Sequence, residues 1–161
     1  MKSITRAALD TVLAVLAFSA AGQQGPLPYG APISLETAKK MVAASVAEAR
    51  KNHWGMAVAI ADPAGQLVAF ERIDDTQTGS INVAIGKARS AAQFRRPTKV
   101  FQDLLAKGDN FIYLLGLEGA VPVQGGIPIV IGGKIVGAIG VSGGSGEQDS
   151  VVAQAGIDSL K

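Results

Sequence analysis

The chain has no cysteine, one histidine and few aromatic residues, which make up 5% of its 161 positions. The missing cysteine excludes disulfides, zinc–thiolate sites, iron–sulfur clusters and thiol nucleophiles, so stability must come from packing. A lone histidine removes most catalytic triads and metal clusters as well. Charge is also scarce: charged residues are 17% of the chain and the formal net charge is +2, which gives no reason to expect nucleic acid as a partner. What is present instead is 48% hydrophobic residues and 20 glycines, the composition of one globular domain.

The beginning of the chain has the layout of a secretory signal peptide over residues 1–21. Lys2 and Arg6 precede the apolar run TVLAVLAFSAA (11–21), and the small residues Ser19 and Ala21 suit cleavage after Ala21. That run is too short for stable membrane insertion, so the expected location is periplasmic or secreted. Cleavage there leaves 140 residues with 13 basic and 12 acidic side chains. Residues 22–32, GQQGPLPYGAP, hold three prolines and three glycines, and the stretch 22–33 reads as a flexible linker or arm, mobile unless a partner subunit holds it.

From Ser34 onward the patterning is that of a folded domain, 34–161. Leu35, Ala38, Met41, Val42, Ser45, Val46 and Ala49 recur at helical spacing, predicting a helix capped by Ser34 and ending near Asn52. MAVAIAD (56–62) and QLVAFERI (66–73) flank Pro63-Ala64-Gly65 and predict an antiparallel hairpin. SINVAIGKARSAAQF (80–94) predicts an alanine-rich helix capped by Ser80 that must stop near Arg96, ahead of Pro97, with a shorter helix over 98–107. Residues 111–124 are apolar but broken by Gly116, Gly119 and Pro122, an irregular segment with at most a short strand. In 126–143, Gly132-Gly133 between two β-branched runs predicts a second tight hairpin, and a helix follows from Gly146 to Leu160. This order argues for an α+β design with an antiparallel sheet covered by helices.

The glycine-rich stretch GAIGVSGGSGEQD (137–149) invites a nucleotide-binding reading that its spacing rejects. The third glycine of a dinucleotide fingerprint falls at Asp149, and Gly133-Lys134 is followed by Ile135 where a P-loop needs a hydroxyl. Ser145 and Gln148 instead form a capping box, with Glu147 and Asp149 placed to complement the positive end of the helix. The stretch is a strand-to-helix joint.

GGIPIVIGGKIVGAIGVSGGSGEQD, together with LETAKKMVAASVAEAR, VAIADPAGQLVAFERIDD, GKARSAAQF and RPT, resembles the GlcG/HbpS family, over about Leu35 to Lys161. The resemblance implies a profilin-like α/β/α sandwich with about five antiparallel strands. It also implies an exported, non-catalytic haem- or tetrapyrrole-binding protein, accessory to sensing or small-molecule catabolism and assembled as a homo-oligomer. A similar domain is appended to corrinoid adenosyltransferases. The alternative is a cofactor-independent enzyme or accessory factor acting on a small carboxylate.

Haem as cofactor needs an axial donor, and the side chains available are His53, Tyr29, Tyr113, Met1, Met41 and Met56. His53 is the first candidate, although a histidine at the end of a helix also serves its dipole. Lys87, Arg89, Arg95, Arg96 and Lys99 lie between Asp75 and Asp103 with no carboxylate among them, a cluster for propionates or another small anionic ligand, with Phe94 as an edge for ring packing. The competing reading of the same run is a solvated positive face.

Overall fold

The computed structural model describes residues 25–161; the expected signal peptide lies outside the described residues. Its elements are α1 (Leu35–Lys51), β1 (Ala57–Ala61), β2 (Leu67–Arg72), α2 (Gly79–Gln93), α3 (Lys99–Leu105), β3 (Gly126–Ile131), β4 (Lys134–Ser142) and α4 (Gly146–Asp158), with a 3₁₀ segment over Asp109–Gly116. The strands form one antiparallel sheet in the order β2-β1-β4-β3, so the first strand lies beside the last. Among the described residues no helix is long and apolar enough to cross a membrane.

The period-2 pattern of β1 shapes the two faces of this sheet differently. Val58 and Ile60 point, with Ile129, Ile139 and Val141, into a core completed by Met41, Val42 and Val46 of α1 and Val152 of α4. Each such side chain contributes about 1.5–3 kcal/mol on full burial. The alternate residues Ala57, Ala59 and Ala61 face α2, where Ala84 and Ala88 meet them. Only small residues fit here: a Cβ at Gly140 would collide with the Ala84 carbonyl oxygen. The result is an α/β/α sandwich with α1 and α4 on one face and α2 on the other.

Four strands replace the expected five, and the arm explains the difference. Tyr29 forms a single parallel bridge with Ile135, and backbone bonds run from Ile135 N to Pro28 O (2.9 Å), from Gly30 N to Ile135 O (2.8 Å) and from Ile33 N to Val136 O (2.8 Å). Pro28 and Pro32 have no N–H to donate, so the ladder cannot grow into a strand. The arm from Pro28 to Ile33 is thus hydrogen-bonded to its own sheet, and the Tyr29 hydroxyl bonds the Ala92 and Gln93 carbonyls at 3.0 and 2.9 Å.

The Ser34 cap, both hairpins and the capping box of α4 take the expected form, with Gly132 and Gly133 at φ +56° and +72° in the turn. Ser80 does not cap α2. The helix starts after Thr78 with no side-chain cap, and Ser80 is buried, accepting a 3.3 Å hydrogen bond from the Ser142 hydroxyl. The irregular segment holds the 3₁₀ turn and no strand, leaving Ile112, Tyr113 and Leu115 exposed.

Candidate functional site

Helix α1 ends in a Schellman motif built on an unusual residue. Trp54 N donates to Ala49 O (2.9 Å) and His53 N to Arg50 O (3.0 Å), which requires a left-handed residue after the Asn52 cap. Glycine is usual there, but this chain has His53 at φ 58°. Asp75, in the turn after β2, is also left-handed at φ 62°. Both border one open groove of about 390 Å³, lined by Arg50, His53, Trp54, Gly55, Ile73, Asp74 and Asp75. Non-glycine residues held in this region cost of order 1 kcal/mol or more, and such strain concentrates at functional sites. His53 is exposed and Trp54 half-buried, so the groove offers an imidazole, an indole and the cation of Arg50. Among the described residues the Arg50 guanidinium has one loose carboxylate neighbour, Glu71 at 3.8 Å.

The other potential iron donors are placed differently. Met41 and Met56 are fully buried, the Tyr29 hydroxyl is engaged by α2, Tyr113 is exposed on the 3₁₀ segment, and Met1 is outside the described residues.

The basic run does not form one cluster, and none of its members lines the His53 groove, because α2 lies across the sheet from α1. Lys87 is inside the protein, its side chain 1% exposed, donating to Asp149 Oδ2 at 2.6 Å and to Val141 O at 2.9 Å. Arg89 donates through Nε to Gly65 O at 3.3 Å. Arg95 is the left-handed residue of a second Schellman ending (φ 52°) and stacks 5.4 Å over Tyr29. Arg96 lies 5.6 Å over the Phe101 ring, and Lys99 pairs with Asp103 at 2.6 Å, so a carboxylate that flanks the run in sequence enters it in space. Phe94 packs edge-to-face on Phe101, centroids 5.2 Å apart.

Asp149 was expected to serve the α4 dipole, but it turns inward. Its Oδ1 accepts from Gly144 N at 3.0 Å while Oδ2 holds Lys87, tying the strand-to-helix joint to α2. Burial is the strongest influence on this carboxyl and pushes it above the ordinary carboxylate range, against the opposing Lys87 hydrogen bond, the Gly144 N–H, the Lys87 charge and the Gly143 N–H. The sequence signal for the pair is its spacing. Lys87 stands with Ala84, Ala88 and Ala91 on one helical stripe, and Asp149 with Val152, Ala153 and Gly156 on another, both facing the core.

The chain is 38% identical to protein GlcG of Escherichia coli K12 over 110 residues, 68% of this chain and 81% of that protein. A double mutant of Streptomyces reticuli HbpS superposes with a TM-score of 0.76 at 31% identity, covering 88% of this chain and 95% of that one. PduOC, solved as a heme complex, superposes with a TM-score of 0.74 at 27% identity, covering 80% and 94%. Residues 33–158 match the family described as haem degrading protein HbpS-like, and the chain belongs to this HbpS-like family.

Proposed function

We propose that this chain is an exported, homo-oligomeric, non-catalytic haem- or tetrapyrrole-binding protein, periplasmic or secreted, and that the ring docks in the groove at the end of α1. The observation that carries the reading is the convergence of two left-handed residues, His53 and Asp75, with Trp54 on one groove. The HbpS-like family and the heme complex of PduOC support the ligand class. The donor set suits haem: a neutral imidazole is a standard axial ligand, Trp54 and Ile73 give apolar contact to a ring, and Arg50 answers a propionate. Asp74 and Asp75 repel carboxylates, which sets the propionates toward the Arg50 side. An open groove covers one face of a flat ring, and a neighbouring copy in an oligomer would cover the other. Bound haem would supply iron–ligand and redox chemistry, while the protein binds and orients it.

The test is titration of purified protein with hemin, followed in the Soret region. Saturable binding with an altered spectrum in His53→Ala is expected. No saturable change in the native protein would overturn the haem reading, and an unchanged His53→Ala spectrum would remove the axial role.

A further inference from the structure

On the opposite layer from the His53 groove, the far half of α2, the β1–β2 turn and the loop after the 3₁₀ segment enclose a polar cleft of about 510 Å³, lined by Gln66, Arg89, Gln93, Glu118 and Gly119. Arg89 and Gln93 are one helical turn apart and share a face. Both are fixed by the turn below them: Arg89 Nε donates to Gly65 O at 3.3 Å, and Gln93 Nε2 donates to Ala64 O at 2.9 Å. That approach needs glycine at position 65, where φ is +83° and a Cβ would come within 2.8 Å of Arg89 Cγ. Holding Arg89 through Nε leaves its two terminal amino groups without a hydrogen bond among the described residues. Those two groups form the side of the guanidinium that accepts a carboxylate in a fork. Glu118 borders the same cleft, yet no ion pair joins it to Arg89 among the described residues. The cleft therefore presents a cation tethered through Nε, a separate carboxylate and two side-chain amides.

From this arrangement we infer a second binding site, for a small carboxylic acid that carries a hydrogen-bond donor beside its carboxylate, either a hydroxyl or an ammonium. The ligand's carboxylate bridges the terminal nitrogens of Arg89, and its donor group reaches Glu118. Gln66 and Gln93 offer amides to either part, and the remaining volume holds bridging water. An acid lacking the donor leaves Glu118 unanswered and binds more weakly. This site is independent of the haem reading, shares no lining residue with the His53 groove, and needs no chemistry on the ligand.

The experiment is calorimetric titration of the haem-free full chain with propionate, lactate and alanine as probes, repeated on Arg89→Gln, Glu118→Gln and His53→Ala. Lactate or alanine should bind at least tenfold more tightly than propionate, and the better of the two identifies hydroxyl or ammonium as the donor. Arg89→Gln should lose all three acids. Glu118→Gln, an exposed loop change that leaves the fold intact, should lose tenfold for lactate or alanine while keeping propionate. His53→Ala should change nothing. Absence of binding by every acid at about 10 mM, equal binding of all three acids, or unaltered binding in Glu118→Gln would each overturn the inference. Circular dichroism of Arg89→Gln separates a lost ligand contact from a lost fold, and Glu118→Gln decides the matter if that variant unfolds.

Discussion

Replacing Lys87 by methionine removes one charge from the interior and leaves Asp149 behind. Lys87 and Asp149 are 1% and 3% exposed, 2.6 Å apart, and each has a second partner, Val141 O for the lysine and Gly144 N for the carboxylate. A buried pair stripped of one member costs about 3–5 kcal/mol, because the survivor keeps its desolvation penalty without its partner. Against a total stability of about 5–15 kcal/mol this is a large fraction, and at ~3–5 °C per kcal/mol for a domain of this size the melting temperature should drop by roughly 10–20 °C. The double change Lys87→Met with Asp149→Leu removes both charges and should cost less than Lys87→Met alone. The cost should also depend on pH with a defined sign. Burial already raises the Asp149 carboxyl above its unfolded value of 3.8, so the folded state binds the extra proton and this group's contribution to stability falls as pH rises from 3.8 through the raised value. Without Lys87, two influences that lower the carboxyl are gone and it rises further, so the penalty of Lys87→Met should be smallest in acid and grow toward neutral pH. Urea denaturation of the four proteins of the cycle across this range measures both effects. A Lys87→Met cost below about 1 kcal/mol, a double mutant equal to the sum of the singles, or a penalty that is flat with pH would refute the reasoning.

Other perturbations test the joints that position the two sites. His53→Gly should stabilise the protein by about 0.5–1 kcal/mol in thermal denaturation, since glycine takes φ 58° without the Cβ penalty, while the Soret spectrum with hemin is altered as in His53→Ala. Gly140→Val should lower the melting temperature sharply, by on the order of 3 kcal/mol or more in stability, because even a Cβ there meets the Ala84 carbonyl and α2 must lift from the sheet. Ser145→Ala removes the acceptor of Gln148 N and half of the capping box, for a loss of about 1 kcal/mol by chemical denaturation.

The fold was legible where one local signal decided the structure. Ser34, Gly132-Gly133 and the Ser145 to Gln148 box each act within a few residues, and each appears as read. Ser80 failed because a hydroxyl at a helix start can also bond across the sheet, and the Ser142 hydroxyl was invisible to local reasoning. The contacts of the arm escaped local reasoning in a related way. Proline and glycine do make 22–33 a poor strand, but a poor strand can still lend Pro28 O, Gly30 N and Ile33 N to the free stretch of β4 beyond the end of β1.

The basic run fails as one cluster because sequence proximity along a helix is not proximity in space. Lys87 and Arg89 are two positions apart, about 200° around the helix, so one enters the core while the other reaches the surface cleft. The stripe that carries Lys87 inward is the apolar one, and only a partner at the same depth makes a lysine there tolerable. Asp149 provides that partner from the helix that follows the glycine-rich joint, which is why the joint is tight and why no anion need occupy it. The charge that looked available for ligand binding is thus consumed in fixing α2 to the sheet. Arg89, on that same helix, is left with terminal amino groups that bond nothing else among the described residues, in a cleft that Glu118 also lines.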